Sequence, residues 1–186
     1  MAQQAQKFRA EGKRVVLCHG TFDLMHTGHI RYLQRAKDEG DVLLVTVTAD
    51  AFVNKGVGRP IFNENLRAEN LAALACVDIV AINHSISAVE ALNEIRPNIY
   101  VKGSEYRSHK DDLTGNIARE QEAVETHGGS IFYTDEINQS VINYFKIEGG
   151  IEILDLSYFD IASDLDIGKV DPQHLFDVLV KKDLSS

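Results

Sequence analysis

The sequence predicts an α/β fold in which a doubly wound parallel sheet is covered by helices on both faces. Short apolar runs rich in β-branched residues alternate along the chain with segments whose apolar residues recur at helical spacing. The runs are apolar at consecutive positions, as expected of strands that are buried on both faces. A composition of 44% hydrophobic and 25% charged residues over 186 positions is typical of a globular protein with one such domain.

Two strands and the helix between them open the predicted sheet. The strands are predicted at Val15 to Cys18 and at Val42 to Val47. The segment from about Thr27 to Gly40 is predicted as the connecting helix, because its apolar residues recur every three or four positions.

The later elements follow the same alternation. Three further strands are predicted at Val77 to Ile82, Ile99 to Val101 and Ser130 to Tyr133. Four helices are predicted: one capped by Asn63, a short one capped by Ser87 and ended by Pro97, an exposed one from Asp111 to His127, and one beginning within Ser140 to Phe145. Ligands bind such sheets at the carboxyl ends of the strands, so the loops after Cys18, Val47 and Val101 are the candidates.

The last part of the chain has a different character. Residues 147–186 carry nine acidic residues and three lysines, yet they also hold many large apolar side chains. Solvated linkers rarely contain so many apolar groups. We therefore predict a domain over residues 13–146 and an acidic extension or linker over 147–186, which docks on the main domain, on a second subunit or on a domain outside this chain.

Charge and hydropathy exclude several classes of protein. The 28 acidic and 19 basic residues give a net charge of −9, a poor match to a polynucleotide, so no nucleic-acid partner is expected. No window is apolar enough to span a membrane, and Met1 to Gly12 lacks the apolar core of a secretion signal, so a cytoplasmic location is expected. Cys18 and Cys76 lie in apolar strings and are predicted to be buried thiols.

One stretch after the first strand, His19 to His29, concentrates residues with chemical potential. Gly20 permits a tight turn, and Gly28 lets an anion approach the backbone amides at the start of the helix. His26 and His29 are one helical turn apart, so both rings can face one bound group, such as a triphosphate. The alternatives are a pair of zinc ligands and a pair of surface histidines with no role. No further Cys or Glu ligands lie nearby, so no metal held by the protein is predicted.

The residues Gly20-Thr21-Phe22-Asp23 followed by His26-x-Gly28-His29 resemble the signature of the cytidylyltransferase-like nucleotidyltransferases. Its second half is a motif shared with class I aminoacyl-tRNA synthetases. The segments 48–55, 59–60 and 101–106 are similar to the nucleotidyltransferase domain of bifunctional ADP-heptose synthases, and more distantly to glycerol-3-phosphate cytidylyltransferases. The resemblance covers about residues 13–146 and implies a Rossmann-like, HUP-type nucleotidyltransferase fold.

The resemblance implies a reaction and the residues that carry it. An acceptor phosphate oxygen attacks the α-phosphorus of a nucleoside triphosphate in line, pyrophosphate leaves, and Mg²⁺ assists. The implied catalytic residues are His26, His29 and Lys55. The implied nucleotide-binding residues are Gly20, Thr21, Phe22, Gly28, Lys102, Gly103 and Ser140, and the implied substrate-binding residues are Asp23, Asp50, Arg59 and Glu105.

Several of these roles have a plainer alternative. Asp50 holds acceptor hydroxyls or Mg²⁺, or else caps the following turn. Lys55 contacts phosphates or is a solvated lysine in a glycine-rich loop. Lys102 at a strand end needs an anion, which fits a phosphate site. Arg67, in contrast, is expected only to pair with Glu64 or Glu69 on its own helix, so Arg59 is the preferred phosphate-binding arginine.

The expected activity is transfer of a nucleoside monophosphate from ATP, or CTP, to a sugar phosphate such as an aldose or heptose 1-phosphate. The alternatives are a cytidylyltransferase that acts on a polyol phosphate, and a nucleotide-binding regulatory module without turnover. The last alternative arises because the serine and threonine run of relatives is replaced by Asn138-Gln139-Ser140. A homodimer and a fused or associated sugar-kinase domain are the protein partners that the resemblance suggests.

Overall fold

A computed structural model describes residues 1–54, 58–107 and 116–135. The helices are α1 (Ala2–Ala10), α2 (Thr27–Lys37), α3 (Glu64–Ala72), α4 (Val89–Ile95) and α5 (Ile117–Thr126). The strands are β1 (Val15–Gly20), β2 (Val42–Thr48), β3 (Ile79–Asn83), β4 (Ile99–Gly103) and β5 (Ser130–Thr134). Single 3₁₀ turns follow β2 at Asp50–Phe52 and β4 at Ser104–Arg107.

The five strands form one parallel sheet in the order β3-β2-β1-β4-β5. Cys18 of the central strand β1 lies beside Val45 of β2 and Val101 of β4. The chain builds outward from β1 to β3, crosses the sheet and continues outward from β4 to β5. The strand order therefore reverses between β1 and β4, and the predicted doubly wound parallel sheet is confirmed.

The core has two layers, one on each face of the sheet, because successive side chains of a strand point to opposite faces. Val16 and Cys18 pack with Leu33 and Leu71, which belong to α2 and α3. On the other face the core contains residues of β1, β2, β4 and of the helices α1, α4 and α5: Val15, Leu17, Leu44, Tyr100, Ala5, Leu92 and Val124. Both faces of the sheet are thus covered by helices, as predicted.

Two predicted helix caps can be compared directly with the structure. Asn63 caps α3 as predicted, with its side-chain oxygen accepting a hydrogen bond from the Leu66 amide at 3.0 Å. Before α4, the prediction is shifted by one residue. Ala88 occupies the cap position, and the Ser87 hydroxyl accepts a 3.4 Å hydrogen bond from the Val89 amide. The left-handed conformation of Arg96 ends this helix before Pro97.

Other boundaries differ from the prediction for identifiable reasons. β3 begins at Ile79 and not at Val77, because Asp78 binds the neighbouring strand through its amide and its carboxylate, which contact Leu43. The polar segment at the N-terminus, for which no element was predicted, forms α1. Its Arg9 donates a hydrogen bond to the carbonyl of Arg96 at 2.9 Å and so binds the C-terminus of α4.

The exposed helix predicted over 111–127 also needs correction. In the described part of this segment the helix begins at Ile117, and one face of it is buried, including Glu120. The predicted helix within 140–145 and the acidic extension 147–186 lie outside the described residues, so the domain boundary at 146 stays a prediction.

The two cysteines are both free thiols. Cys18 is fully buried, as predicted, and burial raises its pKa to about 12. Cys76 is only partly buried, which corrects the prediction for that residue. Among the helices that the structure describes, none is both long and apolar enough to cross a lipid bilayer.

Candidate active site

The start of α2 holds the two motif histidines in a fixed arrangement. His26 is the N-cap residue, and its Nδ1 accepts a hydrogen bond from the Gly28 amide at 3.0 Å. The Nδ1 atom of His29 accepts a hydrogen bond from the His26 amide at 3.4 Å. The ring centroids lie 4.2 Å apart. The structure therefore brings together the two rings that the sequence pairs.

These contacts decide which ring nitrogens carry the proton. A neutral imidazole carries one proton, and a nitrogen that accepts a hydrogen bond does not carry it. Because both Nδ1 atoms accept bonds from the backbone, both Nε2 atoms carry the proton and can donate. Burial lowers the pKa of His26 below its usual range, which favours this neutral donor form near pH 7. The positive end of the α2 dipole lies at the same place.

The loop between β1 and α2 supports His29 through its turn geometry. Phe22 is buried with a positive φ of 51°, and its ring lies edge-on to His29 with the centroids 6.0 Å apart. A Cβ added to Gly20 would lie 3.2 Å from that ring. Gly20 and Phe22 therefore shape the loop that carries the motif, and the predicted nucleotide contacts of both residues stay predictions.

His19, the first residue of the motif stretch, has a role for which the sequence gives only an indirect signal. Its Nδ1 shares a 2.9 Å hydrogen bond with the Thr46 hydroxyl, and its Nε2 lies 3.4 Å from the Thr48 hydroxyl. Burial, together with the nearby Lys102 cation, lowers the pKa of His19 to about 4. The ring is therefore neutral at pH 7. The alternation Val15, Leu17, His19 along one face of β1 is the pattern that could have indicated its partial burial.

Asp23 and Arg59, both predicted to bind substrate, bind each other. The Arg59 Nη1 atom lies 2.7 Å from Asp23 Oδ2, and the Asp23 side chain is only 3% exposed. The amides of Ile61 and Phe62 also donate to this carboxylate. Burial alone would raise the pKa of Asp23, but the two amides and the Arg59 guanidinium outweigh it and hold the pKa below its usual range.

Asp50 follows β2 and pairs with Arg67, which corrects the expectation for that arginine. Arg67 Nη2 lies 2.6 Å from Asp50 Oδ1, and no pairing with Glu64 or Glu69 occurs among the described contacts of Arg67. Arg67 is fully buried because it lies on the inward face of α3, one turn before the buried Leu71. That spacing was the available signal. The Asp50 side chain remains 38% exposed at the carboxyl end of the sheet.

Lys102 is buried at the end of β4, but its counterion is part of the protein. Its Nζ atom lies 3.2 Å from Glu120 Oε2 and 4.4 Å from the centre of the Tyr106 ring. Glu120 also accepts hydrogen bonds from the Tyr100 hydroxyl and the Ala88 amide. Burial and the Glu120 carboxylate raise the pKa of Tyr100 well above its usual range. Lys102 therefore does not require a phosphate to balance its charge. This corrects the expectation that a lysine at this strand end needs a bound anion.

Comparison with known proteins decides the family. The model of the cytidylyltransferase-like family matches residues 17–145, which is more than half of the chain. The protein is a member of the cytidylyltransferase-like family.

Individual relatives agree with this assignment. Bifunctional protein HldE of Geobacter sulfurreducens is 39% identical over 125 residues, which make up 66% of this chain and 24% of that protein. Bifunctional protein HldE of Geotalea uraniireducens is 40% identical over 130 residues, or 69% and 25% of the two chains. The cytidylyltransferase-like chain thus spans about a quarter of the length of the curated relatives it matches.

A solved structure shows the same fold. The crystal structure of the lipopolysaccharide core biosynthesis protein from Thermoplasma volcanium superposes with a TM-score of 0.53 at 30% sequence identity. The match covers 66% of this chain and 94% of that protein. The shared fold therefore accounts for about two thirds of this chain and for nearly the whole of that protein.

Some predicted site residues of this cytidylyltransferase-like protein cannot be placed. Lys55 and Ser140 lie outside the described residues, as does the side chain of Glu105. Gly103 ends β4, beside Thr134 of β5. Thr21 contributes its carbonyl oxygen to Arg67. The functional roles of these residues stay predictions.

The site as a whole lies at the carboxyl ends of the central strands. Two imidazole donors and the amino end of α2 form one part of it, and the exposed Asp50 carboxylate after β2 forms another. Over residues 1–54, 58–107 and 116–135, no three His, Cys, Asp or Glu side chains come together as a metal site. Neutral imidazole donors and a helix amino end that lie near a carboxylate can orient a nucleoside triphosphate and an acceptor for transfer.

Proposed function

We propose that the protein is a nucleotidyltransferase that moves a nucleoside monophosphate from ATP to a sugar phosphate and releases pyrophosphate. The observation that carries the proposal is the pair of histidines at the start of α2, with ring centroids 4.2 Å apart and both Nδ1 atoms held by backbone amides. This arrangement places two Nε2–H donors at the amino end of one helix. Membership of the cytidylyltransferase-like family supports the same reaction class.

The chemistry follows from positioning and charge stabilisation. The histidine donors and the amino end of α2 bind the phosphates of the triphosphate, where negative charge increases as pyrophosphate leaves. An oxygen of the acceptor phosphate forms a bond to the α-phosphorus while the bond from that phosphorus to the leaving pyrophosphate breaks. No covalent intermediate with the protein is needed. Lys55 is proposed to contact the phosphates on the other side of the reacting centre.

Mg²⁺ is the proposed cofactor, and the Asp50 carboxylate is the group in the described site that suits it. Mg²⁺ is usually held by one or two carboxylates together with substrate phosphates. Asp50 supplies a partly exposed carboxylate at the carboxyl end of β2, which suits a cation that arrives with the triphosphate. When bound, the ion would neutralise phosphate charge. Asp50 is the residue that would hold it there, or would instead orient the hydroxyls of the acceptor.

The proposed donor and acceptor rest on the relatives. Their name, bifunctional protein HldE, and the resemblance to ADP-heptose synthases favour ATP with an aldose 1-phosphate, such as a heptose 1-phosphate. CTP with a polyol phosphate is the second candidate, because the family to which the chain belongs is named for cytidylyl transfer. Because the chain spans about a quarter of those relatives, a fused or separate sugar-kinase domain is a proposed partner.

The test is an assay of pyrophosphate release by the full chain. The protein is incubated with Mg²⁺, each of the common nucleoside triphosphates, and a panel of aldose 1-phosphates and polyol phosphates. Release that requires both substrates, with ATP and an aldose 1-phosphate preferred, is expected. Calorimetric binding of a nucleotide without release across the panel would contradict the proposal and support the regulatory module instead.

A further inference from the structure

Two ion pairs lie in or next to the stretch His19 to His29, which we call the first motif. Phe62 connects the two pairs. Arg59 pairs with Asp23 at 2.7 Å, and Arg67 pairs with Asp50 at 2.6 Å. The Phe62 amide donates a hydrogen bond to Asp23 Oδ1 at 3.2 Å, while the Phe62 carbonyl accepts one from Arg67 Nε at 2.9 Å. The contacts therefore run without a break from Arg59 to Asp50. We call these five residues the arginine network.

Arg67 holds the most contacts in the arginine network. Besides Asp50 and Phe62, its guanidinium donates to the carbonyls of Thr21 at 2.5 Å and Thr48 at 2.8 Å. These partners belong to the loop after β1, the end of β2, the turn after β2 and the segment before α3. The guanidinium is planar, and its donors point in fixed directions, so one buried side chain sets the relative positions of four segments.

We propose that Arg67 is a positioning residue for nucleotidyl transfer, which sets the distance between the first motif and the Asp50 carboxylate. This inference rests on the proposed function. Its physical basis is that Arg67 binds Thr21, five residues before His26, and Asp50 at the same time. A transferring phosphate and its acceptor must be aligned closely, and a displacement of about 1 Å can cost ~10²-fold in rate.

The charges of the arginine network support a role beyond stability. Two guanidinium groups balance two carboxylates, so the network adds no net charge to the region that a triphosphate must enter. Without Arg67, the partly exposed Asp50 carboxylate would repel an anionic substrate. Burying a charged pair is a weak way to gain stability, because desolvation offsets much of the attraction. If position 67 served only to pack the core, a hydrophobic side chain would be sufficient there.

The network also reassigns two predicted substrate contacts. The Asp23 side chain is almost fully buried, and its carboxylate is bound by Arg59 and by the Ile61 and Phe62 amides. We therefore place Asp23 and Arg59 in the same positioning unit as Arg67, acting on Asp50 through Phe62. Asp50 is the exposed end of this unit.

The test compares Arg67→Lys with the wild-type full chain at a temperature where both are folded by circular dichroism. Lysine keeps the charge but not the planar fork. We expect kcat for pyrophosphate release to fall by about 10- to 100-fold, whereas the Kd for ATP alone, measured by calorimetry, changes by less than about 3-fold. ATP affinity should be retained because no described contact links Arg67 directly to His26 or His29. Arg119→Met on the exposed face of α5 is the matched control and should leave kcat unchanged.

A second variant keeps the inference testable if Arg67→Lys does not fold. Asp23→Asn preserves shape and interrupts the opposite end of the network. We expect a smaller loss of kcat with the same unchanged Kd for ATP, and losses that are less than additive in the double variant.

The outcomes separate the two claims. A wild-type chain that releases no pyrophosphate overturns the proposed function and, with it, the positioning role. An active wild type with wild-type kcat in folded Arg67→Lys or Asp23→Asn overturns the positioning role alone. The positioning role is also overturned if kcat, the folded fraction and the affinity for ATP all fall by similar factors in the variant. A purely structural residue would behave in that way.

Discussion

At the scale of single residues, the two motif histidines depend on the backbone that surrounds them. Each ring is oriented because its Nδ1 accepts an amide hydrogen bond at the start of α2. The His26 ring also caps the helix. Loss of either ring therefore removes one of the proposed phosphate donors and, for His26, also a stabilising contact at the helix start.

We expect His26→Ala and His29→Ala each to reduce kcat by ~10²- to 10³-fold, the scale seen when one transition-state donor is lost. The fold should be retained, which circular dichroism checks. Steady-state pyrophosphate release measures the loss. His84→Ala, at an exposed histidine outside the motif, is the control and should behave as wild type. Unchanged rates in both motif variants would refute the assigned role.

His19 predicts a pH dependence of stability. Its pKa is lowered from 6.5 to about 4 in the folded chain, so the unfolded chain binds the proton more readily. Stability from the neutral ring is present above pH 6.5 and is lost as the pH falls from 6.5 towards 4. The full shift corresponds to at most roughly 3 kcal/mol.

Urea denaturation of wild type and His19→Gln between pH 7.5 and pH 4 measures this contribution. We expect the free energy of unfolding to fall less steeply with acidification in the variant, because glutamine does not titrate. Asp23 also has a lowered pKa, so both proteins should lose some stability in acid. Parallel curves for the two proteins would show that His19 makes no such contribution.

Which side chains lie together in the candidate site could be predicted only where the residues form a local motif. The His26, Gly28 and His29 pattern is contained within one helix turn, so sequence spacing was sufficient. The partners of Arg67 and Lys102 are distant along the chain, at Thr21 and Glu120 among others. Helical spacing indicates that a side chain faces inward, but it does not indicate which distant carbonyl or carboxylate lies there.

At the scale of elements, the five strands were predicted because their apolar runs are continuous, and only their ends differ from the structure. The helix α1 was missed because its sequence is polar and only Ala5 is buried. Its position depends on tertiary contacts such as the hydrogen bond from Arg9 to the carbonyl of Arg96. Contacts of this kind leave no periodic signal in a short polar segment.

The connection from α5 to β5 has no room for a side chain at Gly129, which can be tested by substitution. A Cβ at Gly129 would lie 2.4 Å from the Pro97 carbonyl oxygen and 2.8 Å from a methyl group of Val124. Neither neighbour is the flexible end of a long side chain. We therefore expect Gly129→Ala to lower the free energy of unfolding by about 1–3 kcal/mol, measured by urea denaturation.

Gly128 provides the matched control for that substitution. It has a positive φ of 78°, and no atom lies within 4 Å of an added Cβ. Asparagine tolerates this backbone conformation better than other non-glycine residues. Gly128→Asn should cost less than Gly129→Ala, and the reverse order would contradict the steric explanation.

At the scale of the whole molecule, the described sheet has helices packed on both faces. Residues of α1 to α5 pack on these two faces, and the buried side chains of the described residues lie between Ala5 and Thr134. The acidic extension predicted over 147–186 follows all of these elements in the sequence.

We therefore expect a chain truncated after Lys146 to remain folded, with a melting temperature close to that of the full chain. Circular dichroism measures the melting, and gel filtration compares the oligomeric state of the two chains. If pyrophosphate release is also retained, the extension is a connector to another domain. A truncated chain that is unfolded would show that the extension contributes to the core.

The strand order also has a consequence for how the chain folds during synthesis. A nascent chain that has emerged from the ribosome only as far as Asn83 contains β1, β2 and β3, but β4 has not yet emerged. At that stage β1, central in the finished sheet, is an outer strand with one side of its backbone unpaired. Such a strand is a template for aggregation. Molecular chaperones that shield apolar edges would therefore be needed most before the ribosome has released the second half of the sheet.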